Sequence, residues 1–312
     1  MNHLESSFAG KNAFWRYLIM IAAVIAVANT IGALPLIISI LRNPAAAGEL
    51  ASSPGDFTVL GISSITAFAF LLIPFIIALL AFILLIRPLN GRSFMAVING
   101  TGTFRWNRFF LSAAVWISIS VIYLLVSLKL DPANFSVNNL SSSLILLVIV
   151  SLLLVPFQAA FEEVLFRGYL MQGFTVLFRN RIFPLVVTSI LFGLMHSLNP
   201  EVGEFGFLTM MPQYILFGLI FGIVAVMDDG IESAIGIHAA NNVFLCIMVT
   251  NKSSALQTPA VWEQHTIQPW TEFVFMFIMG ALTIFILRKI FRWGSFSLLF
   301  GKVEKPGNTE NP

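Results

Sequence analysis

Two adjacent carboxylates, Glu162 and Glu163, close an apolar run from Ser142 to Phe161 and open the stretch EEVLFRG. Single histidines follow at His196 and His238, each inside a later apolar segment. An ionisable side chain at membrane depth costs about 2.5–3.5 kcal/mol on insertion scales, so a chain that keeps one there is using it. A carboxylate left unpaired in a poorly hydrated place is the setting of a general base working near neutrality.

Helical spacing sorts these residues. Positions four apart share a helix face, and Glu163 with Arg167, Phe192 with His196, and His238 with Asn242 all have that spacing. Glu163 and Arg167 form an i, i+4 ion pair that lowers the cost of burying a charge; scaffolding and chemistry both remain open for it. Glu162 lies about 100° round the helix and is left to meet a different neighbour. His196, taken alone, reads as a histidine near the outer end of a span, bonded to a backbone carbonyl. His238 sits in the middle of IESAIGIHAANNVFLCIM, where it requires a polar partner. Asn242 offers an amide donor one turn on, or serves as helix-packing glue, while Asn241 points elsewhere. His3 and His265 fall in polar flanks and read as bystanders.

The elements that must position these groups are membrane helices. The chain of 312 residues is 58% hydrophobic and 10% charged, with a mean hydropathy of +0.90, which excludes an ordinary soluble domain. The net charge of +2 is scattered between apolar segments, so nucleic-acid binding is not expected. The single Cys246 allows neither an intramolecular disulfide nor a multi-cysteine zinc site and reads as a small core hydrophobe.

Stretches long enough to cross about 30 Å of hydrocarbon fall near residues 17–41, 64–86, 109–128, 142–161, 182–198, 213–227, 231–249 and 271–291. The fold class is therefore all-α: a polytopic membrane bundle of about eight helices. Gly218 and Gly222 give the sixth stretch a spacing that permits close helix approach. Of the 17 Lys and Arg, all but Arg42, Lys129 and Lys252 fall in the segments that are inner if the N-terminus is inner. That bias puts both termini in the cytoplasm of an integral membrane protein, with a bacterial-type plasma membrane expected. On this topology EEVLFRG meets the cytoplasmic side, and the apolar, basic-punctuated residues after it form an interfacial helix. Three regions follow: 1–141 with three spans, 142–250 with the reactive groups, and 251–312 with an outer loop, a last span and a polar tail.

Taken as an ordered set, Glu162-Glu163-x-x-x-Arg167, Phe192-x-x-x-His196 and His238-x-x-x-Asn242 resemble the CPBP (CAAX protease and bacteriocin-processing, or Abi) intramembrane proteases, which include the type II CAAX prenyl endopeptidases. The resemblance covers roughly residues 142–250. It implies a helical membrane fold with a catalytic cavity reached from the cytosolic side and the lateral membrane. Carried over by motif position, it implies that Glu162 activates the attacking water, that His196 helps to hold it, and that His238 and Asn242 stabilise the oxyanion. Glu163 and Arg167 would orient the arrangement. The implied partner is a membrane-associated peptide or protein, processed as a CAAX terminus or a leader, with the lipid bilayer around it.

No HExxH and no serine with an adjacent base pattern occurs, so zincin and serine-triad routes have no support. No obligatory cofactor is expected; Zn2+ is the alternative, held by Glu162, His196 and His238 with Glu163 assisting. Two further alternatives from other classes are a transporter or proton relay built on the buried Glu and His, and a non-catalytic membrane scaffold or immunity protein. The oligomeric state is not legible.

Overall fold

A computed structural model describes residues 2–52, 57–138 and 143–306. The Asn- and Ser-rich connector around residues 132–143 lies partly outside these residues, and the tail beyond 306 wholly so. The chain is a bundle of helices: α1 (Phe14–Val27), α2 (Leu34–Arg42), α3 (Ser64–Asn90), α4 (Trp106–Leu130), α5 (Ser143–Glu163), α6 (Met171–Phe178), α7 (Ile182–Met195), α8 (Phe207–Met227), α9 (Glu232–Met248) and α10 (Pro269–Phe291). Leu80, Leu84, Ile122, Leu125, Leu152, Leu153 and Phe277 lie exposed along these helices, each at least half accessible. A surface so apolar belongs against lipid, and the chain is an integral membrane protein.

Six helical stretches are long and apolar enough to cross a membrane: Phe14–Arg42, Ser64–Asn90, Trp106–Leu130, Ser143–Phe178, Phe207–Met227 and Pro269–Phe291. All eight expected apolar stretches are helical, but two are short for a crossing. At 1.5 Å per residue, the 14 residues of α7 rise about 21 Å and the 17 of α9 about 25 Å. The first stretch joins α1 to α2 through a π-helical turn at Ala28–Gly32.

The fourth stretch departs most from expectation. The segment after EEVLFRG is not a separate interfacial helix. A π-helical turn at Val164–Leu170 joins α5 to α6, giving one stretch of 36 residues in which Val164 to Tyr169 are buried in protein. The apolar side chains of LFRGYLM have neighbouring helices to pack against, so the helix continues where a hydropathy window places a membrane boundary.

α9 packs between α4 and α5, α8 packs on α7 and α10, and α3 packs on α5. The approach of α8 to α7 depends on Gly218: a Cβ there would lie 2.7 Å from Ser189 Cα and 2.8 Å from its carbonyl oxygen. The expected close packing at Gly218 is therefore between helices of one chain.

The two ends of the bundle differ. At one end the N-terminus, the α3–α4 link, the α6–α7 turn, the α8–α9 turn and the C-terminal segment are tied together. His3 N–H donates to Asp229 Oδ1 at 2.8 Å, Lys11 N–H to the Asn90 carbonyl at 2.8 Å, and Val303 N–H to the Arg179 carbonyl at 3.0 Å. All basic residues of the inner segments except Arg167 lie at or near this end. At the other end a three-stranded sheet in the order β1-β3-β2 closes the bundle. Its strands are β1 (Phe135–Val137), β2 (Val249–Thr250) and β3 (Trp262–Gln264), with β3 antiparallel to β1 and parallel to β2.

Candidate active site

The continuous helix from α5 to α6 changes the depth of the carboxylates. Glu162 does not lie at the cytoplasmic end of its span: counting back from Phe178 it is about 24 Å up the helix, while His196 is about 21 Å up α7 from Ile182. α6 and α7 form the two arms of a tight turn at Arg179–Arg181, so residues far apart on a linear topology come level.

Glu163 is completely buried and is the hub of the site. Its Oε1 accepts from Arg167 Nη1 at 2.9 Å within the same helical stretch, and from His238 Nδ1 on α9 at 2.8 Å. Arg167, also completely buried, donates through Nη2 to the Gly218 carbonyl of α8 at 3.1 Å, and its guanidinium lies 4.3 Å from the centre of the Phe192 ring. One carboxylate oxygen thus joins two helices, and the arginine adds a third. Because that oxygen is an acceptor, Nδ1 of His238 carries the proton. Its Nε2 faces Glu162 Oε2 at 3.7 Å, while Phe221 stacks on the ring with centroids 4.8 Å apart. The polar partner expected for His238 is Glu163.

Glu162 meets a different set. Its Oε1 accepts from Gln158 Nε2, one turn back on α5, and Gln158 Oε1 in turn accepts from Asn242 Nδ2 at 3.0 Å. Among the described residues its Oε2 is buried with no hydrogen-bond partner. Asn241 does not point away: its Nδ2 donates to Asn242 Oδ1 at 3.0 Å, and its Oδ1 accepts from Trp116 Nε1 at 3.2 Å. Gln158 was missed in the sequence, although Gln158-x-x-x-Glu162 has the same spacing as the recognised pairs.

His196 Nδ1 pairs with the Phe192 carbonyl at 2.8 Å, as a histidine at a span end would. Its ring stacks on Tyr214, with centroids 4.4 Å apart, and Tyr214 donates to Glu201 and accepts from Asn199 Nδ2 at 2.9 Å. Among the described residues it has no hydrogen bond to Glu162, His238 or Asn242. It shares with them the lining of one cavity of about 520 Å3.

That cavity runs from Glu162 and His238 toward the sheet end, between walls that include Phe75, Phe217 and Phe275, and reaches Phe135, Ser254 and Gln264. Its lining comes from the end opposite the basic loops. The opposite direction is filled. His3, expected to be a bystander, is completely buried beneath the site. Its Nε2 pairs with the Arg167 carbonyl at 3.0 Å, and its own carbonyl accepts from Gln172 Nε2 at 2.7 Å.

A hydrolytic zinc ion needs three protein ligands converging on one point. Among the described residues no three His, Cys, Asp or Glu side chains are grouped so as to hold a metal. Glu162, His196 and His238 as they stand do not fit the ion.

A buried carboxylate with an open oxygen, an imidazole held by a second carboxylate, and an apolar cavity beside them are the parts of a membrane-embedded hydrolase. Residues 141–244, one third of the chain, match the family model described as type II CAAX prenyl endopeptidase Rce1-like, a likeness to CAAX-type intramembrane proteases. Over 259 residues the chain is 28% identical to the uncharacterized protein YyaK of Bacillus subtilis (strain 168), covering 81% of this chain and 84% of that protein. No solved structure matches the chain.

Proposed function

We propose that the protein is an endopeptidase that hydrolyses a peptide bond in a membrane-associated peptide or protein with water activated by Glu162. The observation that carries this reading is the division of labour in the carboxylate pair: Glu163 is tied to Arg167 and His238 through Oε1 and lies outside the cavity lining, whereas Glu162, whose Oε2 has no partner among the described residues, lines the cavity. Glu162 takes a proton from water as the water oxygen bonds to the scissile carbonyl carbon. The oxyanion forms next to Nε2 of His238 and Asn242 Nδ2. Asn242 has a second N–H beyond the one given to Gln158, and His238 donates from Nε2 when both its nitrogens are protonated, with Glu163 holding the imidazolium. The proton on Glu162 then passes to the leaving nitrogen as the C–N bond breaks. His196, backed by Tyr214, holds the water from the other wall.

No metal enters this scheme. Chelation is expected to leave cleavage unchanged; loss on chelation and recovery with zinc would replace it. In the same reading the basic-rich end, with both termini, faces the cytoplasm of a bacterial-type plasma membrane. The test compares peptide termini in membranes from cells producing the protein or its Glu162→Gln variant. Termini that vanish with the variant identify substrates, and an unchanged set would sink the proposal.

A further inference from the structure

We infer that Gln158, Asn241 and Trp116 are positioning residues: with Asn242 they form a hydrogen-bond relay of fixed direction that leaves Oε2, and not Oε1, as the oxygen of Glu162 that takes and returns the proton. The inference rests on the hydrolytic reading for its chemistry, while the relay itself is a matter of geometry.

The relay crosses three helices, α4, α9 and α5. It starts on α4, where buried Trp116 donates from Nε1 to Asn241 Oδ1 of α9 at 3.2 Å. Asn241 Nδ2 donates to Asn242 Oδ1 at 3.0 Å, Asn242 Nδ2 to Gln158 Oε1 of α5 at 3.0 Å, and Gln158 Nε2 to Glu162 Oε1. Every N–H points toward the carboxylate. The two ends dictate that direction, because an indole N–H can only donate and an ionised carboxylate can only accept. The amides of Asn241, Asn242 and Gln158 between them could each turn over if they stood alone. Tied in series, they turn together or not at all, and reversal would set N–H against N–H at Trp116 and oxygen against oxygen at Glu162. Bonds aligned in this way also polarise one another where the dielectric is low.

Gln158 occupies Oε1 whether Glu162 is ionised or protonated, since Oε1 accepts in both states. The proton drawn from water is therefore carried on Oε2, which has no partner among the described residues and belongs to a side chain that lines the cavity. It leaves for the departing nitrogen from the same atom, with no rotation of the carboxyl group. Gln158 also holds Asn242, so one side chain sets the base on α5 and the oxyanion donor on α9 relative to each other. Glu163 performs the matching task for His238.

The test uses the full chain in detergent and a fluorogenic peptide built on a terminus lost in the Glu162→Gln comparison. Gln158→Met keeps the volume and removes both bonds, and kcat is expected to fall by about 10- to 100-fold with KM within about twofold. Trp116→Phe removes the donor that starts the relay. It should lower kcat less, and it should add nothing in the Gln158→Met background, where the relay is already cut. Asn241→Asp still accepts from Trp116 but has no N–H to pass on, so it too should lower kcat. Unchanged kcat in Gln158→Met, a change confined to KM, or effects of Gln158→Met and Trp116→Phe that multiply in the double variant would overturn the inference. If Gln158→Met does not accumulate, Asn241→Asp decides, and unchanged kcat there overturns it. Should no terminus be lost in the Glu162→Gln comparison, the hydrolytic reading fails by itself. Unfolding temperatures of the four proteins of the Gln158→Met and Trp116→Phe cycle then judge the relay: a loss in the double variant smaller than the sum of the single losses supports it, and additive losses exclude it.

Discussion

On the basic side of the carboxylate pair the side chains around His3 and Gln172 are closely packed; on the sheet side a cavity opens, and Glu162 Oε2 borders it without a partner among the described residues. Glu162 and Glu163, adjacent in sequence, fall on opposite sides of that divide. Rigidity and reactivity are thus divided between two halves of the same helices. A reacting group held within tenths of an ångström needs a packed foundation, and a substrate needs room.

The contrast is broken most directly by Glu162→Gln, which keeps the shape and the bond to Gln158 but removes the base. Cleavage should fall by about 100- to 10,000-fold with the thermal unfolding temperature nearly unchanged. Arg167→Met attacks the packed half. It leaves the Glu163 charge buried without its main partner and should destabilise the fold by about 3–5 kcal/mol in detergent unfolding, while the double variant Glu163→Gln/Arg167→Met should recover much of that loss. Recovery would show that the cost lies in an uncompensated charge rather than in lost packing.

A smaller effect is expected at Gly236 on α9, where a Cβ would meet the Phe109 carbonyl oxygen at 2.3 Å. Gly236→Ala should cost about 1–3 kcal/mol by forcing α9 away from α4, and it should lower cleavage by tilting His238. The smallest effect concerns His3. Burial holds its imidazole below the ordinary value of 6.5, against the opposing pull of the Arg167 carbonyl and of Asp229. Below about pH 6.5 the unfolded chain takes up a proton that the folded chain refuses, so stability should decline as pH falls through that value. His3→Gln should flatten the decline, which pH-dependent unfolding would measure.

The helical stretches were legible because apolar runs report lipid and core alike, and the i, i+4 pairs were legible because helical geometry is periodic. Depth was not. A hydropathy window ends the fourth stretch at Glu162 because it counts charges without knowing that Arg167 and His238 neutralise them. His3 escaped notice for a related reason: a polar flank reads as solvent-exposed unless its tertiary contacts are known, and those come from residues 164 to 226 positions away. Gln158 carried a readable spacing signal, but a neutral amide does not stand out in an apolar run. The joining of Glu163 to His238 spans 75 positions and depends on how α9 sits against α5, which no local pattern encodes.

The π-helical turn at Val164–Leu170 acts as a phase adjuster. One extra residue in a turn advances everything beyond it by about 100° relative to uninterrupted α-winding. α5 and α6 therefore belong to one rod but keep separate angular settings: one aims Glu162 at the cavity and the other aims Gln172 at the N-terminal segment. Deleting a single residue between Val164 and Leu170 would leave composition and hydropathy almost untouched. It would also rotate the foundation out of step with the site it supports.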